Sequence, residues 1–214
     1  MKRTKLFLLA FSAASLIATQ VQATPIVIGT TVVPNASVLD GSATLLNSLS
    51  ANYSVTPING GTYQGTLNSY VYQESAVFNP LGGLTFVYQV FNGPNSASII
   101  EHVTVNGYNS LFVADTSFSG LIAPTTVNWS FGNVMSFNFA TPFIPGPNGN
   151  SGLLIVRTTA HSALANTAGV IDGTAAGTFA LAPSVPDGGS TLALMGGVVL
   201  ALGAMRRKLV GILS

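Results

Sequence analysis

The stretch TVNWSFGNVMSFNF, residues 126–139, carries the alternation that decides the fold. Val127, Trp129 and Phe131 alternate with polar residues, and the same two-residue period returns in residues 135–139. Because successive side chains of a β-strand point to opposite faces, this period is typical of half-buried strands. A Gly-Asn pair separates the two runs and suits a two-residue turn. Residues 126–139 are therefore predicted to form a β-hairpin.

Similar runs recur between residues 24 and 183, separated by Gly, Pro and Asn. Residues 84–91 are apolar on both faces, as in a central strand, and residues 98–105 are predicted to return alongside them. Residues 142–152 are predicted to form a long surface loop. With no amphipathic helix of useful length, the prediction is an all-β fold, a β-sandwich of about ten short antiparallel strands. The other predicted strands are residues 26–33, 43–49, 62–72, 110–114, 152–159 and 174–181.

Charge and cysteine content exclude several classes of function. The chain has 214 residues, of which 6% are charged and none is cysteine. Residues 24–183 hold one arginine against five carboxylates, a net charge of −4 with histidine neutral. Such a body lacks the cations that bind phosphate backbones, so no nucleic-acid partner is expected. The absence of cysteine removes disulfides and cysteine-ligated metals.

The N-terminus has the order of a secretory signal. Lys2, Arg3 and Lys5 precede the apolar run LFLLAFSAASLIA, and the small residues Val21 and Ala23 follow it. Residues 1–23 are therefore predicted to be a helical signal peptide that signal peptidase cuts after Ala23 during secretion. The alternative is a short membrane anchor that is not cleaved.

The C-terminus has three parts in order: Val185-Pro186-Asp187-Gly188-Gly189, an apolar segment over residues 190–205, and Arg206-Arg207-Lys208. As a helix rising about 1.5 Å per residue, the apolar segment reaches about 24 Å, short of a hydrocarbon core of about 30 Å. Spanning then requires a thinner bilayer or help from the preceding glycines. Three cations resist translocation, so they are predicted to stop transfer on the cytoplasmic side. Residues 190–214 are predicted to be a transmembrane helix with a basic stop and a short tail; a buried core helix is the alternative.

These three parts resemble the PEP-CTERM class of bacterial sorting signals, and more closely its VPDSG-CTERM variant, with Gly188-Gly189 in place of the usual Ser-Gly. The resemblance implies recognition by an exosortase, a membrane transpeptidase that cuts near the motif and passes the protein to the cell surface. It also implies a Gram-negative envelope and exopolysaccharide production. Residues 79–89, 152–158 and 168–173 resemble the body of many exosortase-sorted proteins of unknown role, which implies no activity.

Residues 24–181 are predicted to be the sandwich domain and residues 182–189 a linker that carries the sorting motif. Candidate catalytic groups in this domain are sparse. Glu101 and His102 are adjacent, and neighbouring strand residues point to opposite faces, so they are interpreted as solvated edge positions.

The remaining carboxylates do not define a site either. Glu74 and Glu101 are the only glutamates, and either could meet Asp115 as a glycosidase pair, although the spacing does not bring them together. Asp115 and Asp172 are interpreted as turn residues, because a calcium site needs an alternating run of oxygen ligands. The prediction is no catalytic residue, no metal and no cofactor.

Large aromatic side chains are predicted to fill the core; the alternative is a sugar-stacking platform on one sheet face. They are Tyr63, Tyr70, Tyr72, Tyr88, Tyr108 and Trp129.

The predicted function is that of an exported, exosortase-sorted surface or extracellular-matrix protein with a non-catalytic sandwich, associated with exopolysaccharide or biofilm. It is expected to be anchored transiently in the inner membrane and then to lie at the cell surface or outside the cell. The alternatives are a carbohydrate-binding module with an aromatic site and a hydrolase that uses Glu74 or Glu101.

Overall fold

A computed structural model describes residues 23–56 and 61–185. Within these ranges the chain is all-β, as predicted, with thirteen strands in two sheets. The predicted signal helix with Val21, the residues of the sorting motif after Val185, the C-terminal helix and the basic stop lie outside the described residues.

The strands follow one another along the chain with these bounds. They are β1 (Thr24–Ile26), β2 (Thr30–Val32), β3 (Asn35–Ala36), β4 (Thr44–Val55), β5 (Tyr63–Gln73), β6 (Thr85–Asn92), β7 (His102–Asn106), β8 (Ala114–Ser119), β9 (Thr126–Trp129), β10 (Val134–Asn138), β11 (Leu153–Thr158), β12 (Ala163–Asp172) and β13 (Thr174–Pro183).

The strands form two sheets that pack face to face. Sheet A has the order β1-β8-β11-β6-β5-β4, with the short β3 beside β8, and sheet B has the order β13-β12-β7-β10-β9-β2. Neighbours are antiparallel except β3 and β8, which are parallel. Strands β4, β5 and β6 form a meander within sheet A, β9–β10 and β12–β13 form hairpins within sheet B, and the other connections mostly cross between the sheets.

The core between the sheets holds large aromatic side chains whose polar ends are hydrogen-bonded. Trp129 donates from Nε1 to the carbonyl oxygen of Tyr108, 2.7 Å away. The hydroxyls of Tyr88 and Tyr108 lie 2.7 Å apart, and Tyr88 also donates to the carbonyl oxygen of Leu181 at 2.8 Å. Burial raises the pKa of both tyrosines, so they remain neutral donors. With Tyr63, four of the six aromatic residues predicted for the core lie there.

The predicted hairpin at residues 126–139 is confirmed. Strands β9 and β10 pair with Met135 opposite Trp129. The predicted two-residue Gly-Asn turn is wrong, because Ser130 donates its N–H to the Val134 carbonyl oxygen, which leaves a three-residue connection that ends at Asn133 with a left-handed φ of 63°. Phe131 therefore does not share a strand face with Val127 and Trp129, as its spacing predicted, but lies in the turn with 81% of its surface exposed.

The expectation that residues 98–105 return beside residues 84–91 is also wrong. Both edges of β6 are occupied, by β5 on one side and β11 on the other. The chain after β6 therefore crosses to sheet B, where β7 pairs with β10 and β12. An alternating pattern identifies the buried face of a strand but not the sheet that the strand joins.

The sequence did not predict β12, whose alanines and glycine have weak strand propensity. It forms a hairpin of ten residue pairs with β13, closed at Gly173 with a φ of 66°. Strand β13 continues through Pro183, two residues into the range expected to be linker. Residues 26–33 form two strands, and the strand expected at 110–114 begins at Ala114. The predicted surface loop 142–152 contains the fully buried Ile144, which bridges to Ile100.

A buried ion pair lies on the face of sheet A that points away from the core. Arg157 projects from β11, and its guanidinium binds both oxygens of Glu74, with Nε–Oε2 at 2.8 Å and Nη2–Oε1 at 3.1 Å. Its other three N–H groups donate to Ser37 Oγ (3.3 Å), Ser117 Oγ (3.1 Å) and the carbonyl oxygen of Val38 (2.9 Å). All five guanidinium donors are therefore used, which is the condition for burying this charge.

The ion pair fixes residues 37–42, here called the covering segment, against sheet A. Besides the bonds to Arg157, the backbone N–H of Asp40 donates to Glu74 Oε1 at 2.9 Å. The Asp40 carboxylate accepts hydrogen bonds from Ser42 and Ser75, which hold its pKa well below its usual value. Thr85 donates its hydroxyl proton to Glu74 Oε2 at 2.6 Å. The covering segment, which precedes β4, and the segment that follows β5 are therefore both bound to Arg157 and to each other.

A glycine in β5 permits a second close contact. The Tyr53 side chain crosses over Gly65 to donate to the carbonyl oxygen of Phe91 at 3.0 Å. A Cβ at residue 65 would overlap both the Phe91 carbonyl oxygen and the Tyr53 hydroxyl. This position therefore requires glycine because of its surroundings.

We expect Glu74→Gln to lower the free energy of unfolding by about 3–5 kcal/mol, because it leaves the arginine charge buried without a counter-charge. Chemical denaturation measures the change. The matched control is Glu101→Gln, a partly exposed carboxylate whose replacement should change stability by less than about 0.5 kcal/mol. Equal stability of the two variants would contradict the structural role of the ion pair.

We expect Gly65→Ala to destabilise the fold by about 1–3 kcal/mol, because the added methyl group must displace Tyr53 or the β6 backbone. Thermal unfolding provides the measurement. Gly177→Ala is the control, since nothing lies within 4 Å of a Cβ at that strand position; it should be neutral or stabilising by up to about 1 kcal/mol. A neutral Gly65→Ala variant would refute the close approach described above.

Candidate functional site

The exposed face of sheet B carries a ladder of asparagine–threonine pairs. Asn106 Nδ2 donates to Thr167 Oγ1 at 2.8 Å, and Asn128 Nδ2 donates to Thr31 Oγ1 at 2.8 Å. A third pair, Asn138 Nδ2 to Thr126 Oγ1 at 3.1 Å, lies between neighbouring strands on the same face. Each bond joins two strands and orders the two side chains that form it. The surface therefore presents uncharged amide and hydroxyl groups to solvent. We call this surface the polar ladder.

Glu101 and His102 lie beside the polar ladder, at the start of β7. Their interpretation as edge positions is wrong, because β7 is a central strand between β10 and β12. The carboxylate and imidazole also approach each other, with 4.0 Å between Glu101 Oε2 and His102 Nε2. The opposite-face argument fails because Glu101 precedes the strand. His102 Nδ1 contacts Asn138 Oδ1 at 2.9 Å, so its ring is tied to the ladder.

The outer face of sheet A has a cleft of about 540 Å³ at one end of β4, β5 and β6. That volume lies within the usual range for ligand pockets, about 300–1,000 Å³. Asn52, Thr66 and Phe91 form one cross-strand row of its floor, since they are register partners on successive strands. Ser54 and Gln64 begin the next row. These residues alternate with core residues, so their side chains face outward. We call this site the β4–β6 cleft.

The rim of the β4–β6 cleft is held in place by hydrogen bonds. Gly93 donates its N–H to the carbonyl oxygen of Gln64 at 2.7 Å, and Asn92 donates its N–H to Gly149 at 2.7 Å. The Asn92 side-chain amide donates to the carbonyl oxygens of Ser98 (2.7 Å) and Pro145 (3.2 Å). These bonds fix the loop that brings the cleft-lining residue Asn148 to the cleft. The site is therefore largely preformed.

Two amide oxygens at this end of sheet A lack partners. Asn68 Oδ1 on β5 and Asn92 Oδ1 on β6 are the buried side-chain oxygens without a hydrogen bond in the described chain. Asn92 itself lines the cleft and is 1% exposed. Buried polar atoms are nearly always hydrogen-bonded in folded proteins, so these two oxygens are exceptions within sheet A; both are covered by protein and neither faces the solvent of the cleft.

Two of the six aromatic residues predicted for the core do not lie in it. Tyr70 and Tyr72 occupy the outer face of β5, partly exposed, with ring centroids 6.3 Å apart and tilted by 37°. They share this face with Thr66 of the β4–β6 cleft. Their position matches the alternative of an aromatic platform better than the core prediction.

The carboxylates considered for catalysis are not brought together as a catalytic pair. Glu74 is fully buried against Arg157. Asp115 lies within β8, so its interpretation as a turn residue is wrong; burial raises its pKa and the nearby Arg157 charge opposes that rise. Asp172 does adjoin the turn at Gly173. In the two described ranges, no group of three or more His, Asp or Glu residues is arranged to hold a metal ion.

Sequence analysis missed the residues of the β4–β6 cleft. The strand predicted over residues 43–49 stopped short of Asn52, which lies in the second half of β4. The available signal was the alternation of Gln64, Thr66 and Asn68 in the predicted strand 62–72. That pattern marks a polar face but does not indicate that the face lines a cleft.

The described chain ends where the predicted sorting motif begins. Ser184 donates its N–H to the Ser162 carbonyl oxygen at 3.0 Å and accepts a 2.6 Å bond from the Ser162 hydroxyl. Val185 is 43% exposed. At the other end, Ala23, the residue before the predicted signal-peptide cut, directly precedes β1. Across the described ranges, no helix has both the length and the apolar character to cross a membrane.

Comparison with known proteins assigns the C-terminal segment only. No curated protein and no solved structure matches the chain. A family model described as the VPDSG-CTERM motif matches residues 184–209, which include the predicted motif and the basic cluster. Such a signal implies processing by exosortase-type machinery and supports export with membrane-anchored transit toward the cell surface. The chain therefore carries, at residues 184–209, a VPDSG-CTERM motif, which is a PEP-CTERM-like exosortase sorting signal.

Proposed function

We propose that this chain is an exported protein whose β-sandwich is released to the cell surface or its polysaccharide matrix and associates there with glycan, without catalysis. Signal peptidase removes the N-terminal segment, and the C-terminal segment anchors the protein transiently in the inner membrane. Exosortase-type processing then separates the sandwich from that anchor.

The observation that carries the association with glycan is the polar ladder of sheet B. Its three asparagine–threonine pairs present ordered amide and hydroxyl groups on one flat face. Polysaccharides offer hydroxyl groups with the same hydrogen-bonding character, directly or through water. Many weak, uncharged contacts of this kind hold a protein in a hydrated matrix.

The charge distribution supports the same proposal. Arg157 is the only lysine or arginine between residues 24 and 183, and it is consumed by the buried ion pair. The sandwich therefore has no exposed lysine or arginine with which to bind an anionic polymer. Association with a neutral glycan needs no such cation.

The burial of Glu74 supports a non-catalytic role over a hydrolase that uses this residue. Glu74 accepts bonds from Arg157, Thr85 and the Asp40 backbone, and its side chain has no exposed surface. A general acid must reach the glycosidic oxygen of its substrate. Glu74 could do so only after the covering segment had been displaced.

Intact-mass analysis of protein recovered from the envelope and the medium tests the processing. We expect the released protein to lack residues 1–23 and the segment after about Val185. Asp187→Ala, in the sorting motif, should leave the C-terminal segment attached and the protein in the membrane fraction. Asp172→Ala, in the sandwich, serves as control and should be processed normally. Released protein that retains the C-terminal segment would refute the proposed separation.

Cosedimentation of the full chain with exopolysaccharide isolated from the producing cells tests the association. We expect retention that changes by less than about twofold between 0.05 and 1 M NaCl, because salt screens charges but not neutral hydrogen bonds. No new reducing ends should appear during incubation. Protein that stays in solution, or that salt releases, would contradict uncharged association, and released reducing ends would contradict the absence of catalysis.

A further inference from the structure

We propose that the β4–β6 cleft is a binding site for a neutral sugar unit of a polysaccharide, with the Phe91 ring as the stacking surface and the amides of Asn52, Gln64 and Asn148 as hydrogen-bonding groups. This inference rests on the proposed association with glycan and locates it at a defined site on sheet A, distinct from the polar ladder on sheet B.

The lining of the cleft has the chemistry that a sugar requires. A pyranose ring has an apolar face of C–H groups and a rim of hydroxyls, so it needs an aromatic surface beside donors and acceptors. Phe91 provides the aromatic surface, and its half-buried ring lies in the same row as Thr66 and Asn52. The remaining side chains that line the cleft are amides, hydroxyls and Pro94.

The uncharged lining of the cleft favours neutral glycans over acidic ones. None of its lining residues is ionisable at neutral pH, and the body of the chain has a net charge of −4. A uronic-acid polymer would meet no cation here and would be repelled by the whole domain. The site therefore fits a neutral hexose polymer better than an acidic one.

The position of Phe91 is held from three directions. The Tyr53 hydroxyl donates to its carbonyl oxygen, its backbone pairs with Thr66 on β5, and it bridges to Asn150 on the opposite side. These contacts fix the backbone from which the ring projects, so only the side-chain torsions of Phe91 remain to be ordered when a ligand stacks on it.

The cleft opens onto a longer track along β5. Thr66, Asn68, Tyr70 and Tyr72 follow at alternate positions on the outer face, so Tyr70 lies about 14 Å from Thr66 at about 3.4 Å per residue. Further units of the same polymer can therefore reach the two tyrosine rings. This geometry favours an extended chain over a free monosaccharide.

Affinity electrophoresis of the full chain in mild detergent tests the site, with dextran and glucomannan as neutral probes and alginate as the acidic probe. We expect retardation by at least one neutral probe and none by alginate. Phe91→Ala should weaken that retardation at least about tenfold, because aromatic contacts dominate such sites. Phe131→Ala is the matched control, an exposed phenylalanine in the β9–β10 turn of sheet B, and should bind as the unmodified protein does.

Gln64→Ala and Asn52→Ala provide a second measurement that does not depend on the packing of Phe91. Each should weaken binding about threefold to tenfold while leaving the unfolding midpoint unchanged. If the neutral probes bind but all three cleft variants bind normally, the cleft is not the site, while association through the polar ladder still stands. If neither the neutral probes nor the isolated exopolysaccharide binds, both proposals are wrong. Retardation by alginate alone would overturn the neutral-sugar assignment.

Discussion

The buried pair of Arg157 and Glu74 is the interaction on which the rest of the described structure depends. A guanidinium is expensive to bury, and the fold meets that cost by giving every one of its N–H groups an acceptor. Those acceptors come from β8, from the covering segment and from the segment after β5, so three separate parts of the chain converge on β11. The same arrangement removes the only lysine or arginine of the sandwich from its surface. The burial of Arg157 therefore accounts both for the structural role of the ion pair and for the lack of lysine and arginine on the exposed faces.

The ion pair also divides the outer face of sheet A into two halves. Around the ion pair, Val87 of β6 and Ile155 of β11 are buried outside the main core, on the face that carries Arg157. Over β4, β5 and the end of β6 the same face is more open, and most of its side chains are asparagine, glutamine, serine, threonine, tyrosine and phenylalanine, with the exposed Leu45 opposite Tyr72. The cleft lies in this open half. Placement of the covering segment thus decides which part of the sheet remains available for a ligand.

The local parts of this fold are encoded within short windows, and the sequence predicted them. The β9–β10 hairpin needs only alternation on both sides of turn-forming residues, and β6 needs only a continuous apolar run between turn residues. Contacts between residues that are far apart in sequence are not encoded within such windows. Arg157 and Glu74 are 83 residues apart, and the alternation around them is the same as in any other strand. Strand β12 escaped prediction because its stability comes from ten pairs with β13, not from its own alanine-rich composition. The cleft depends in turn on three strands and a loop, so no single window contains it.

The position of the sorting signal relative to the last strand links the fold to its processing. Strand β13 ends at Pro183, the Ser162–Ser184 bonds close the hairpin, and the matched motif begins at Ser184. The contacts that hold β13 therefore lie before Val185, and a cut beyond that residue would break none of them. Strand β13 also carries a hydrogen bond from the Leu181 N–H to Ser69 Oγ of sheet A, so the last strand is tied to both sheets before the matched motif begins. A cut after Val185 would therefore leave these described contacts, and the ordered side chains of both exposed faces, on the same fragment of the chain.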